Sequence, residues 1–200
     1  YTAALEYFDK TVKGGVKDKT ILYKRGICLL EEKEYELSIK DMDEAIKAGE
    51  SGVDVHLAKA RAYIGLENRK GALQALAKAI EADPNNSDIY YNSALIKEEN
   101  EEYEPAVLDY NKAIQLNPKD AAAYYGRSNC KAALDDYGAA VSDMDEAINL
   151  EPKNASFFKQ RGNFYYQLGE KEKACFDWRK SVEYGDAKAR FSIDQHCNEK

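Results

Sequence analysis

Apolar residues recur along most of this chain at three- and four-residue steps, the period of an amphipathic helix. Residues 87–120, SDIYYNSALIKEENEEYEPAVLDYNKAIQLNPKD, show the arrangement. Two apolar runs are split by the polar stretch ENEEYE. Pro105 follows that break, in the first turn of the second run, where its missing N–H does no harm. Pro118 stands after the second run and stops it. The pattern predicts two antiparallel helices, a hairpin, within these residues.

The same pattern returns every 34 residues without an insertion. The word DMDEAI occurs at 41–46 and at 143–148, three periods apart. Pro84, Pro118 and Pro152 keep the spacing, as do Ala45, Ala79, Ala113 and Ala147, each followed by Ile. Five full units result, 19–52, 53–86, 87–120, 121–154 and 155–186. Residues 1–18 match the second helix of a truncated repeat, and 187–200 read as a capping helix and tail. Asp18, Gly52, Asn86, Asp120 and Asn154 close one unit each and suit the N-cap of the next helix. The expected fold is all-α: an α-solenoid of antiparallel hairpins with one continuous core.

Numbering slots 1–34 within a unit shows how the hairpin packs. It turns near slot 15 or 16, so slots summing to about 31 share a height. Slot 8 is small (Gly26, Ala60, Ala94, Ser128, Gly162) and faces slot 24, which is large (Met42, Leu76, Tyr110, Met144, Trp178). Slot 4 is mostly bulky (Leu22, Tyr90, Tyr124, Phe158) and faces slot 27, which is small. Large against small at one height is how close-packed helices interdigitate.

These slots resemble the tetratricopeptide repeat: an aromatic at slot 4, small residues at 8, 20 and 27, aromatics at 17 and 24, Pro at 32. Tyr90, Ala94, Tyr103, Ala106, Tyr110, Ala113 and Pro118 carry the pattern in one unit. Departures are His56 at slot 4, Ser38 at slot 20, and Glu50 and Asp186 in place of Pro. The resemblance implies a right-handed superhelix with the first helices on its concave face. It also implies a protein that binds peptides or protein segments and is not an enzyme.

On the first helices, slots 4, 8 and 11 face the hairpin partner, and slots 5, 9 and 12 point away. The candidate peptide-binding groove is Tyr23, Ile27, Leu57, Arg61, Tyr91, Asn92, Leu95, Tyr125, Asn129, Lys159, Asn163 and Tyr166. Exposed aromatic and aliphatic residues in such a stripe mark a binding surface, unless they pack between neighbouring first helices. Tyr91 and Tyr125 share a slot in adjacent units and are expected to be neighbours. The carboxylate clamp of chaperone-adaptor members is not matched: Asn92 fits its middle position, but Leu57, Arg61, Ala122 and Gly126 do not fit the others. Nor do Asn92, Asn129 and Asn163 form the asparagine ladder of the glycosyl-transfer members.

Slots 7 and 23 also lie across the hairpin. They hold Arg25 with Asp41, Arg127 with Asp143 and Arg161 with Asp177. An ion pair bracing each hairpin is expected, with an arginine cluster for an anionic ligand as the alternative. Lys59 meets Ala75 instead, and Asp109 is left alone.

A net charge of −7 argues against a nucleic-acid partner. No apolar run is long enough to insert into a membrane. With two histidines, no Gly-rich phosphate loop and no paired-histidine zinc motif, no cofactor or metal is expected. Cys28 and Cys130 share a slot three units apart, too far to pair. Cys175 and Cys197 approach only if the C-terminal segment folds back. Four buried thiols, and with them a reducing compartment such as the cytoplasm, are the expectation.

The expected function is a protein-protein interaction scaffold. Two alternatives stay open: a self-assembly module giving a homo-oligomer through the open N-terminal edge, and a regulatory arm of a larger enzyme. The chain begins in mid-repeat, so the native N-terminus is expected upstream.

Overall fold

A computed structural model describes residues 2–15 and 18–197. The described residues form helices and no strand. The chain divides into two compact units, residues 1–89 and 90–200.

The first unit holds α1 (Thr2–Lys13), α2 (Lys19–Glu31), α3 (Tyr35–Lys47), α4 (Val53–Gly65) and α5 (Arg69–Ala82). Hairpins α2–α3 and α4–α5 pack in series, with α1 against α2. Its core joins Leu30, Met42, Val55, Ala58 and Ala62. On α1, Tyr7 is 65% exposed and packs edge-on against Phe8. The helix α6 (Ser87–Glu99) begins at the boundary.

The second unit continues with α7 (Tyr103–Leu116), α8 (Ala121–Ala133), α9 (Tyr137–Leu150), α10 (Ala155–Gln167), α11 (Lys171–Glu183) and α12 (Ala189–His196). Hairpins α8–α9 and α10–α11 pack in series, and α12 lies on α11. The chain is thus an all-α solenoid of hairpins built from the repeats that the sequence pattern predicts.

Local chemistry sets each boundary. Asp18, Asp120 and Asn154 accept from backbone N–H groups two or three residues on, starting α2, α8 and α10. The hairpin turn falls at slot 15 in every unit, in left-handed backbone at Lys33, Glu67, Glu101, Asp135 and Gly169. Where Pro is missing at slot 32, Gly49 and Gly185 take positive φ one step earlier. Glycine then closes the helix that proline closes elsewhere. The departures at Glu50 and Asp186 therefore leave the hairpin geometry intact.

The matched-height packing is present. A Cβ on Gly162 would lie 2.8 Å from the Trp178 ring, and one on Gly26 would lie 2.8 Å from Met42. Ser128 Oγ sits 3.1 Å from Met144 Sδ. Larger residues at these positions would drive the hairpin apart.

Two expectations need correction at the C-terminal end. The spacing of Ala187, Phe191 and Ile193 in the sequence predicts that they form the apolar side of the cap. Instead Ala189 is fully buried, Ile193 and Cys197 pack beside it, and Phe191 is 67% exposed. The helix starts at Ala189, so positions 189, 193 and 197 share its inner face. Cys175 and Cys197 are also not free thiols. They form a disulfide with Cα atoms 5.7 Å apart, while Cys28 and Cys130 stay free and buried. Residues 198–200 of the predicted tail lie outside the described residues.

Candidate binding surface of the first helices

The arginine braces fix how the first helices sit. Arg25 grips Asp41 with two bonds of 2.6 Å. Arg127 holds Asp143 at 2.6 and 2.8 Å, and Arg161 holds Asp177 at 2.7 and 2.8 Å. The third guanidinium nitrogen reaches back to the preceding second helix: to Asp9 from Arg25, Asn111 from Arg127 and Asp145 from Arg161. Each arginine thus ties its own hairpin to the one before it. The planar guanidinium, with donors on several edges, suits this task. The backward partner always sits 16 residues before the arginine, as the forward partner sits 16 after it.

Two exceptions differ from expectation. Lys59, facing Ala75, pairs backward with Asp43 at 2.6 Å. Asp109 is not alone: Lys97, one turn beyond the slot of the missing arginine, reaches it at 2.6 Å.

In the first unit, Tyr23 and Ile27 are half-buried and pack against the core shared by α2, α3 and α4. Burial raises the Tyr23 pKa, with help from Asp54 and Glu50. Leu57 is half-buried. Arg61 is exposed and meets Glu31 at 3.1 Å.

In the second unit, Tyr91 and Tyr125 are both half-buried, but their ring partners are others. Tyr91 lies edge-on to Tyr110, 6.0 Å between centroids, and Tyr125 stacks on Phe157 at 5.4 Å. Tyr91 packs against the core of α6, α7 and α8, and Tyr125 against the core of α8, α9 and α10. Leu95 and Asn92 are half-buried too. Lys159 pairs with Asp186 at 3.2 Å. Tyr166 stays 40% exposed at the end of α10 and packs on His196 and Trp178.

The polar residues of this unit form one directed chain of hydrogen bonds. Trp178 Nε1 donates to Asn163 Oδ1 at 3.0 Å. Asn163 Nδ2 donates to Gln160 Oε1 at 3.4 Å, and Gln160 Nε2 to Asn129 Oδ1 at 3.1 Å. Glu98 accepts from Tyr110 Oη at 2.6 Å, and Asn129 lies close enough to favour its charged form. The donors from Trp178 to Asn129 all point the same way, so each bond polarises the next. The asparagines look scattered in the sequence because Gln160, which joins Asn163 to Asn129, is not an asparagine. Gln160 could have been found as the amide one turn before Asn163.

Burial lifts Glu98 above the ordinary carboxylate range, against the pull of Tyr110 and Asn129, and Glu99 adds to the lift. A carboxyl group with a raised folded-state pKa binds its proton more tightly when folded. Its net effect on stability is therefore unfavourable at neutral pH and fades as pH falls through that pKa. Glu98→Gln is expected to melt above the parent near pH 7, with a lead that shrinks toward about pH 4. A lead that stays constant across paired thermal melts at both pH values would show that Glu98 carries no buried charge.

His56, the odd residue at slot 4, is half-buried, and burial with Lys59 and Lys78 nearby lowers its pKa. It is a neutral packed imidazole at pH 7. Among the described residues, no group of three or more His, Cys, Asp and Glu could hold a metal ion. No described helix is long and apolar enough to cross a membrane.

The family model described as tetratricopeptide repeat matches residues 1–53, 57–121 and 94–155. No curated protein matches the chain. Solved structures do. YrrB, described as a TPR protein with an unusual peptide-binding site, is 21% identical over 96% of this chain and 99% of its own, with a TM-score of 0.80. MamA from Desulfovibrio magneticus RS-1 is 18% identical over 85% of this chain and 98% of its own, TM-score 0.78. The C-terminal part of a TPR repeat-containing protein from Cytophaga hutchinsonii is 18% identical over 98% of this chain and 80% of its own, TM-score 0.86. At these identities the likeness concerns the fold.

Proposed function

The chain belongs to the tetratricopeptide repeat family, and from that premise we propose that it is a non-catalytic scaffold whose first helices hold an extended peptide segment of a partner protein. Tyr91, Leu95, Tyr125, Asn129, Asn163 and Tyr166 of the second unit carry the reading. The observation behind it is the directed chain of amides linking α8 and α10, with the half-buried Tyr91 and Tyr125 on first helices of the same unit. An extended peptide brings unpaired N–H and C=O groups and needs alternating polar and apolar contacts. Amides supply the first, and tyrosines supply broad contact area at low entropic cost. Asn92 and Lys159 stand on first helices of the same unit, α6 and α10. Tyr23, Ile27, Leu57 and Arg61 present the matching positions in the first unit. The peptide-binding description of YrrB, a protein of similar fold, supports the class of partner.

The test is a calorimetric titration of a native partner identified by affinity capture. Tyr91→Ala with Tyr125→Ala is expected to weaken binding by about 2 kcal/mol or more, roughly 30-fold. Both rings also pack internally, so the variant must keep its helical content. Tyr91→Phe with Tyr125→Phe, which keeps the packing, should lose a smaller part. Lys112→Ala, on the second-helix face, should change nothing. If the folded alanine variant binds like the parent while second-helix changes weaken binding, the first helices are not the site.

A further inference from the structure

The Cys175–Cys197 disulfide sits at a place that nothing in the repeat architecture requires. It closes a 22-residue span and ties the end of α12 to the first turns of α11. We propose that it is a thiol–disulfide exchange site for small anionic thiols, and that its reduction releases the capping helix.

Three observations support this. The first is access. Cys175, Cys197, His196, Lys171, Glu172 and Arg179 line an open cavity of about 320 Å³, so solvent reaches the disulfide. Cys197 is the less buried of the two sulfur residues. The second is charge. Lys171 and Arg179 stand against Glu172 on that wall. A cationic rim attracts an anionic thiolate and stabilises the thiolate that leaves. The third is how little else holds the cap. Helix α12 has eight residues, too few to be stable alone. Ala189 is its buried anchor, Ile193 adds a partial contact, and Phe191 points to solvent. Beyond the disulfide, the end of the helix rests on His196, 4.4 Å from the Tyr166 ring and 5.8 Å from the Trp178 ring between centroids.

The chemistry balances with two equivalents of thiol. A thiolate RS⁻ attacks Cys197 Sγ, forming RS–S–Cys197 and expelling the Cys175 thiolate, which takes a proton from water. A second RS⁻ attacks the reagent sulfur of that mixed disulfide. RSSR leaves, and the Cys197 thiolate is protonated. The two reagent thiols are oxidised, and the protein disulfide is reduced by two electrons. The freed α12 then loses the clasp that seats His196 over Tyr166 and Trp178. Uncovering Tyr166 would also open one end of the proposed peptide surface, a consequence that rests on that reading, whereas the exchange itself does not.

Trp178 is the sole tryptophan, which makes the event visible without a ligand. The 200-residue chain is treated with reduced glutathione, quenched by alkylation and mapped by peptide mass spectrometry. Cys175 and Cys197 are expected to be labelled in native buffer. Amide exchange over 189–197 should then rise about tenfold or more, and Trp178 emission should shift to the red, with helical content otherwise kept. Lys171→Ala with Arg179→Ala should slow exchange by glutathione several-fold more than exchange by neutral mercaptoethanol. Cys175→Ser with Cys197→Ser should reproduce the released state without reductant. If the bond yields only in denaturant, it is a structural staple and the exchange site is refuted. If it is reduced natively but exchange over 189–197 and tryptophan emission stay put, control of the cap is refuted.

Discussion

Trp178→Ala is expected to cost about 3–5 kcal/mol of stability, the largest single effect in the molecule. The indole is 2% exposed and is the largest fully buried side chain. It fills the space opened by Gly162, with Cδ1 and Nε1 each 2.8 Å from where a Cβ would stand. Its removal leaves a cavity that a rigid hairpin closes only in part, and the lost contacts with Tyr166 and His196 loosen the cap as well. Its Nε1 also starts the hydrogen-bond chain, so Asn163 loses a donor. Trp178→Phe separates the two terms, because it keeps most of the volume and drops only the bond. Urea titration followed by far-UV circular dichroism measures both variants. A cost below about 1 kcal/mol for alanine would mean that the last hairpin relaxes freely.

Asp143→Ala is expected to destabilise by about 2–3 kcal/mol. The carboxylate is 4% exposed and takes two bonds from Arg127 and one contact of 2.8 Å from Lys131. Without it, Arg127 keeps only the neutral Asn111 as a side-chain hydrogen-bond partner, a poor match for a half-buried cation. The cost is mostly that of the stranded charge. Asp143→Ala combined with Arg127→Met should therefore recover part of the loss, Lys131 still lacking its carboxylate, since replacing paired charges by apolar groups is often close to neutral. A double variant as weak as the single one would show that the pair stabilises by its own attraction. A single variant indistinguishable from the parent in the same urea titration would show a solvated pair.

The braces show how the two levels of description divide. The 16-residue spacing of Arg127 and Asp143 follows from hairpin geometry, so the forward pair was legible as soon as slots were numbered. The backward bond to Asn111 depends on how one hairpin seats on the next, and one unit's pattern does not contain that. The same holds for Tyr125. Its slot places it on the exposed side of a first helix, but its stacking on Phe157 depends on how far α8 and α10 stand apart. At the C-terminal end the 34-residue register stops, so the repeat does not set where α12 starts or that 189, 193 and 197 form its inner face.

By itself the sequence determined the repeat length, the helix pairs, their caps and stops, the large-against-small packing and the three arginine clasps. All of these arise within about one hairpin, where the 3.6-residue period converts spacing into position. Only the tertiary structure decided which half-buried side chains meet across hairpins. It linked Asn129 to Asn163 through Gln160 and brought Cys197 back to Cys175. Those contacts span helix-to-helix distances set by the packed volumes of every side chain between them, which no local pattern encodes.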